Sequence, residues 1–106
     1  KSLAGCYNVG PDETDCLTTG ELVSLFCEKW NEAGGKKVDW RNEHDGGPHE
    51  AGFLKLDCSK IKKTFAWSPK WHVDKTMEMI VEWTNVYLAQ ADVSKCMREQ
   101  IRAFCE

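Results

Sequence analysis

The residues best suited to chemistry sit together in one short stretch. His49 and Glu50 are adjacent, on a segment that also holds Gly46, Gly47, Pro48 and Gly52. An imidazole beside a carboxylate on a bent loop offers hydrogen-bond donors and acceptors suited to ribose hydroxyls or sugar oxygens. A plain surface turn would use the same glycines and proline. The glycines form no phosphate cradle, because an extended segment follows them where a Gly-x-Gly-x-x-Gly turn needs a helix. His44, His49 and His72 share no helical face, so no metal site is expected. No P-loop, Gly-x-Ser-x-Gly elbow or His-Glu-x-x-His helix occurs. Trp67 and Trp71 bracket Ser68-Pro69-Lys70 and could stack on a base, but tryptophans flanking a turn are read first as anchors between helices.

The elements that must hold this loop follow from periodicity and punctuation. Residues 3–9 carry Leu3, Cys6, Tyr7 and Val9 up to Gly10-Pro11 and read as a short strand. Thr18 and Glu21 have capping-box spacing, and Leu22, Phe26, Trp30 and Ala33 recur at helical steps before Gly34-Gly35. A helix is expected there. Residues 36–43 alternate, with Val38 and Trp40 on one side and Asp39 and Arg41 on the other, as in a half-buried strand. Residues 44–52 read as a loop and 53–56 as extended. Asp57 is a plausible cap for a short helix through Phe65, in which Ile61 and Phe65 share a face. From 73 to about 88, Val73, Met77, Ile80, Val81, Trp83, Thr84, Tyr87 and Leu88 form a broad inward stripe. Asp92 can cap a last helix whose Val93, Met97, Ile101 and Phe104 repeat inward while Arg98, Glu99 and Arg102 stay polar.

Bulk properties bound the function. A chain of 106 residues suits one domain, and the 42% apolar and 29% charged fractions are those of a globular protein. Seventeen acidic against fourteen basic side chains leave a net charge of −3, with no Lys/Arg stripe to neutralise phosphates, which excludes nucleic acid as the expected partner. No apolar run approaches a membrane span. The six cysteines include no Cys-x-x-Cys pair, and Cys27, Cys96 and Cys105 fall within helical apolar patterns. They are therefore expected to be reduced thiols in a cytoplasmic protein, with a disulfide-stapled secreted domain as the competing reading. The first residues, Lys1-Ser2-Leu3, are neither a Met start nor a signal core, and are expected to be internal to a longer protein.

The order of the motifs is itself distinctive: Tyr7-Asn8-Val9-Gly10-Pro11, a helix, Pro48-His49-Glu50-Ala51, then Leu54-Lys55-Leu56-Asp57-Cys58-Ser59-Lys60. After these come Phe65-Ala66-Trp67-Ser68-Pro69-Lys70-Trp71 and Met77-Glu78-Met79-Ile80-Val81-Glu82-Trp83. Together they resemble the C-terminal part of extended short-chain dehydrogenase/reductases acting on nucleotide sugars. The Pro-His-Glu-Ala and Leu-Lys-Leu-Asp-Cys-Ser-Lys strings look most like those of CDP-glucose 4,6-dehydratases. Phe65-Ala66 stands where that family usually has Leu-Gly, which loosens the expected turn.

The resemblance implies an α/β parent enzyme with an NAD-binding Rossmann domain, of which residues 1–106 would be the smaller α+β, mostly helical, substrate-binding part. In the family NAD oxidises the glucose C4 hydroxyl, water leaves across C5 and C6, and the hydride returns to C6, giving a CDP-4-keto-6-deoxy sugar. A Tyr-x-x-x-Lys pair serves that chemistry, yet Tyr7 is followed at the fourth place by Pro11 and Tyr87 by Ala91. No catalytic residue is therefore expected in this chain, and no bound NAD. By motif matching, His49, Glu50, Asn8 and Lys55 are the substrate-facing positions. The implied partners are a CDP-sugar, the Rossmann domain on another stretch of polypeptide, and further copies in a homo-oligomer. Two alternatives stay open: an autonomous Trp-rich helical interaction module, and the same region of another nucleotide-sugar epimerase or dehydratase.

Overall fold

The computed structural model describes residues 2–43 and 55–106. Within them a single 3-10 turn at Glu13–Asp15 precedes four helices: α1 (Thr19–Glu32), α2 (Ser59–Phe65), α3 (Val73–Leu88) and α4 (Val93–Cys105). Each end has a local cause. Thr18 Oγ1 accepts the Glu21 amide at 3.2 Å, and Asp92 Oδ1 accepts that of Lys95 at 3.0 Å, each satisfying a donor that the first helical turn leaves unpaired. Asp57 caps α2 from one position earlier than expected, with Oδ1 accepting the Ser59 amide at 3.0 Å while Cys58 holds the cap position. α1 stops where Gly34 turns left-handed at φ +83°. α3 stops in the same way with Gln90 at φ +56°, where the amides of Gln90 and Ala91 return to the carbonyls of Tyr87 and Val86.

α3 lies between α1 and α4 and packs on both. Its Met77 and Val81 are 6% and 2% exposed, and with Cys58 and Cys96 they make up the buried apolar core among the described residues. Lys29 on α1 reaches Glu78 on α3 at 3.6 Å. The α3–α4 contact is largely polar: Gln100 Nε2 donates to the Met79 carbonyl at 2.9 Å and to Glu82 Oε1 at 3.1 Å, with the Cys96 thiol 3.6 Å from the same carboxylate. Burial first, and Glu82 second, push the Cys96 thiol pKa up, which keeps it protonated.

This contact corrects the expected packing of α4. Cys96 and Gln100 face α3, whereas Met97, Ile101 and Phe104 are 49%, 61% and 45% exposed. α3 behaves similarly, since Ile80, Tyr87 and Leu88 of its expected inward stripe stay in solvent. Cys105 too is exposed, Cys27 half-buried and Cys96 buried. The molecule is a slab of 51 × 42 × 20 Å with a radius of gyration of 17.2 Å, against about 13 Å for a compact chain of this length. Its accessible surface of 8553 Å² exceeds the roughly 6000 Å² of a compact protein of this mass. A layer that thin cannot cover the apolar sides of its own helices.

The expected α+β mixture is also corrected, because no strand occurs among the described residues. Both candidate strands find side-chain partners in place of a second strand. In residues 36–43, the Asn31 amide accepts the Val38 N–H at 2.9 Å and donates to the Val38 carbonyl at 3.1 Å, while Trp30 Nε1 donates to the Lys36 carbonyl at 2.9 Å. Trp40 then folds onto α1, its indole N–H donating to Ser24 Oγ at 2.8 Å and its ring lying where a Cβ on Gly20 would come within 3.2 Å. In residues 3–9, Lys60 Nζ donates to the Cys6 carbonyl at 2.8 Å and the Tyr7 hydroxyl to the Leu3 carbonyl. With these backbone groups satisfied, no ladder is required. The expected loop 44–52 lies outside the described residues, as do residues 53 and 54 of the extended 53–56.

Candidate functional site

Of the four positions expected to face substrate, His49 and Glu50 lie outside the described residues. Asn8 and Lys55 both lie beside the segment that leads into α2. Asn8 Nδ2 donates to the Asp57 carbonyl at 3.3 Å, so it ties the first segment to α2. Lys60 adds to this tie by covering the Tyr7 ring at 4.6 Å, and that ring leans on Phe65 at 5.3 Å. Lys55 points into a groove of about 440 Å³ that it shares with Glu13, Asp57, Ser59 and Lys62, with Pro11 and Leu56 as its apolar wall.

The groove is built from ion pairs between segments distant in the chain. Lys55 Nζ lies 2.8 Å from Glu13 Oε1, and Lys62 Nζ lies 2.7 Å from Asp12 Oδ1. These contacts hold the Glu13 carboxyl below its usual range and the Lys55 and Lys62 ammoniums above theirs, the hydrogen bond leading in each case. Both lysines remain well exposed, so each pair contributes little stability and can open to admit a ligand. Glu13 and Asp57 balance Lys55 and Lys62 among the charged groups that line the groove. Alternating cationic donors and carboxylate acceptors over an apolar wall suit a hydroxyl-bearing ligand.

Behind the groove, the 3-10 turn reaches α3. Asp15 Oδ1 accepts the Val73 amide at 3.1 Å and Oδ2 lies 2.6 Å from His72 Nδ1. The cap position of α3 is His72, which offers no capping side chain, so Asp15 does this work from 58 residues away. The Asp15 side chain is 8% exposed. Its hydrogen bond to His72 lowers the Asp15 pKa and raises that of His72. Asp12, Asp15 and His72 also bring ligand-type atoms within 4.8 Å of one another. Their engagement with Lys62, Val73 and each other already balances them, and a cation would have to displace those bonds.

Of the positions expected from the sequence, Lys55 lines the groove and Asn8 bonds the Asp57 carbonyl beside it, whereas Asp12, Glu13, Asp15 and Lys62 were not among them. The spacing Asp12-x-x-Asp15 after Pro11 was the available signal, because it places both carboxylates on one side of a tight turn. Trp71 anchors its turn as expected, edge-on to Phe104 of α4 with centroids 5.1 Å apart.

The described residues form a small helical layer with a polar groove at the start of α2. No family model matches the chain. It is similar to CDP-glucose 4,6-dehydratase of Salmonella typhimurium, with 32% identity over 95 residues that cover 90% of this chain and 25% of that protein. The chain thus spans about a quarter of the length of the curated relative it matches. No helix among the described residues is long and apolar enough to cross a membrane.

Proposed function

We propose that this chain is the sugar-nucleotide-facing part of an NAD-dependent CDP-glucose 4,6-dehydratase, a lyase that forms CDP-4-keto-6-deoxyglucose. The observation that carries this reading is the identity along nearly the whole chain with one quarter of such an enzyme. The groove beside Lys55 supports it, since its donors and acceptors match the hydroxyls of a nucleotide sugar. Lys55 and Lys62 would contact the ligand, Asn8 would hold the groove's edge through Asp57, and His49 and Glu50 are proposed by motif as further substrate-facing positions.

The described residues do not fit NAD. The caps of the four described helices are Thr18, Cys58, His72 and Asp92, and among the described residues none follows a strand and glycine turn that would let a pyrophosphate approach backbone amides. The dinucleotide, and the acid–base pair for the C4 hydroxyl, are assigned to a Rossmann domain on another stretch of polypeptide. Positioning the sugar is the contribution left to this part.

Titrating the isotopically labelled chain with CDP-glucose tests the reading. The expected result is amide shifts clustered at residues 8, 49–51 and 55–62, weakened by Lys55→Ala and Lys62→Ala, and smaller with free CDP. Shifts scattered over the surface, or none at millimolar ligand, would remove the groove from the account. The second reading, an interaction module, is favoured by the bare apolar sides of α3 and α4.

A further inference from the structure

Two hollows meet over α3. One, of about 510 Å³, lies between α1 and α3, the other, of about 410 Å³, lies between α3 and α4, and Glu82 and Val86 line both. Together they make a trough that shares no residue with the groove beside Lys55. Val81 is buried and Met79 and Val86 are half-buried, so the floor is apolar. The exposed carboxylates of Glu32, Glu78, Glu82, Asp92 and Glu99 stand around it, with Lys29 and Lys95 as the cations.

These five carboxylates exceed the two ammoniums by three, which equals the surplus in the whole chain of seventeen acidic over fourteen basic side chains. The rest of the chain is formally balanced, and its net negative charge is gathered here. The carboxylates are strung out and do not converge. Among the described residues no three of them lie close enough to ligate one ion, and Glu78 and Glu82 stand about 6 Å apart along the α3 axis. The trough already holds one alkylammonium, its own: Lys29 Nζ lies 3.7 Å from Glu32 and 3.6 Å from Glu78, with the side chain only 15% exposed. Burial works against that charge, yet Glu32, Glu78 and Asp74 outweigh burial and hold the Lys29 pKa above its usual value. Glu82 is held by Gln100 at 3.1 Å and by the Cys96 thiol at 3.6 Å, so its carboxylate is ordered before any cation arrives.

We infer that this trough docks a basic amphipathic helix of a different polypeptide, its lysine or arginine side chains paired with Glu78, Glu82 and Glu99 and its apolar side chains over Val81 and Val86. Charge complementarity selects that occupant, because a second copy would set these carboxylates against their like. Basic side chains at i and i+4 of a helix repeat at the spacing of Glu78 and Glu82. Their methylene stems lie on an apolar floor while the charged heads reach the rim, as Lys29 does. A helix also brings branched apolar side chains to the floor, which a linear polyamine lacks. The inference goes beyond the sugar-nucleotide reading and does not depend on it.

Fluorescence anisotropy tests it, with the 106-residue chain titrated into a labelled synthetic helix of about four turns that carries lysines at i and i+4 and leucines between them. The expected result is saturable binding that weakens by roughly 10-fold from low salt to about 0.5 M salt. Glu78→Gln combined with Glu99→Gln should weaken it by roughly 10-fold as well. Both side chains are exposed, so circular dichroism should show unchanged helix content. Lys29→Met keeps an apolar stem and releases Glu32 and Glu78, and should tighten binding by roughly 3-fold. No saturation, equal binding of the same peptide with glutamates for lysines, or affinities unmoved by these substitutions overturns the inference. Displacement of the peptide by an equal concentration of spermidine overturns it too, and assigns the trough to a small polycation.

Discussion

Ala66 closes α2 at φ +51°, ψ +35°, a left-handed conformation that costs an L-residue with a Cβ about 1–2 kcal/mol. Replacing it with glycine removes that cost and adds back about 0.5–1 kcal/mol of unfolded-chain entropy. The difference favours Ala66→Gly by about 0.5–1 kcal/mol, which for a chain near this size raises Tm by roughly 2–8 °C. Ala66 is exposed, so no packing is lost in the exchange. Gln90→Gly, at φ +56° in the α3 terminus, should act in the same direction and by a similar amount. Ala66→Val should instead lower stability by roughly 1 kcal/mol, because a β-branched side chain tolerates this region worst. Urea unfolding followed by far-ultraviolet circular dichroism reads all three. A glycine variant less stable than the parent, or a valine variant equal to it, would refute the reasoning.

Asp15→Ala removes the side chain that accepts the Val73 amide at the start of α3 and should cost about 1–2 kcal/mol, with faster amide exchange at Val73; Asp15→Asn, which keeps an acceptor, should lose less. Stability should also depend on pH through the His72–Asp15 pair. The raised His72 pKa contributes stability that is full below its unfolded value of 6.5 and lost as pH rises through the higher folded value. The lowered Asp15 pKa contributes above its unfolded value of 3.8 and is lost as pH falls through the lower folded value. Both contributions coexist between these two unfolded values, and His72→Gln should flatten the alkaline decline in urea midpoints. Asn31→Ala breaks both bonds to Val38 and should cost about 1 kcal/mol. Val38 amide exchange should then accelerate, and an unchanged rate would mean that the strap is held by the two tryptophans alone.

The helices were legible because their signals are local. Thr18 with Glu21, Asp92 ahead of Val93, and the stripe from Val73 to Leu88 each state a boundary within one or two turns, and the structure keeps these boundaries. Strands are different, since an alternating segment such as 36–43 becomes a strand only if another lies beside it. Here Asn31 and Trp30 reached that backbone first. The direction of the apolar stripe on α4 failed for a related reason: Met97 and Ile101 repeat correctly, but Gln100 and Glu82 supply the contact to α3. In the groove, Lys55 stood out by its motif, whereas its meaning depends on Glu13, 42 residues away. Long-range charge pairing leaves no periodic trace in a single sequence.

The central claim is that this chain shapes a sugar-nucleotide site whose reactive groups lie on other polypeptide. The most direct measurement joins it to a segment corresponding to the remainder of its relative, supplies NAD and CDP-glucose, and follows the 4-keto-6-deoxy product. The account predicts product from the joined protein, a higher KM on Lys55→Ala, and no turnover by the 106-residue chain alone. Turnover by the short chain, or none from a folded, NAD-loaded joined protein, would contradict it.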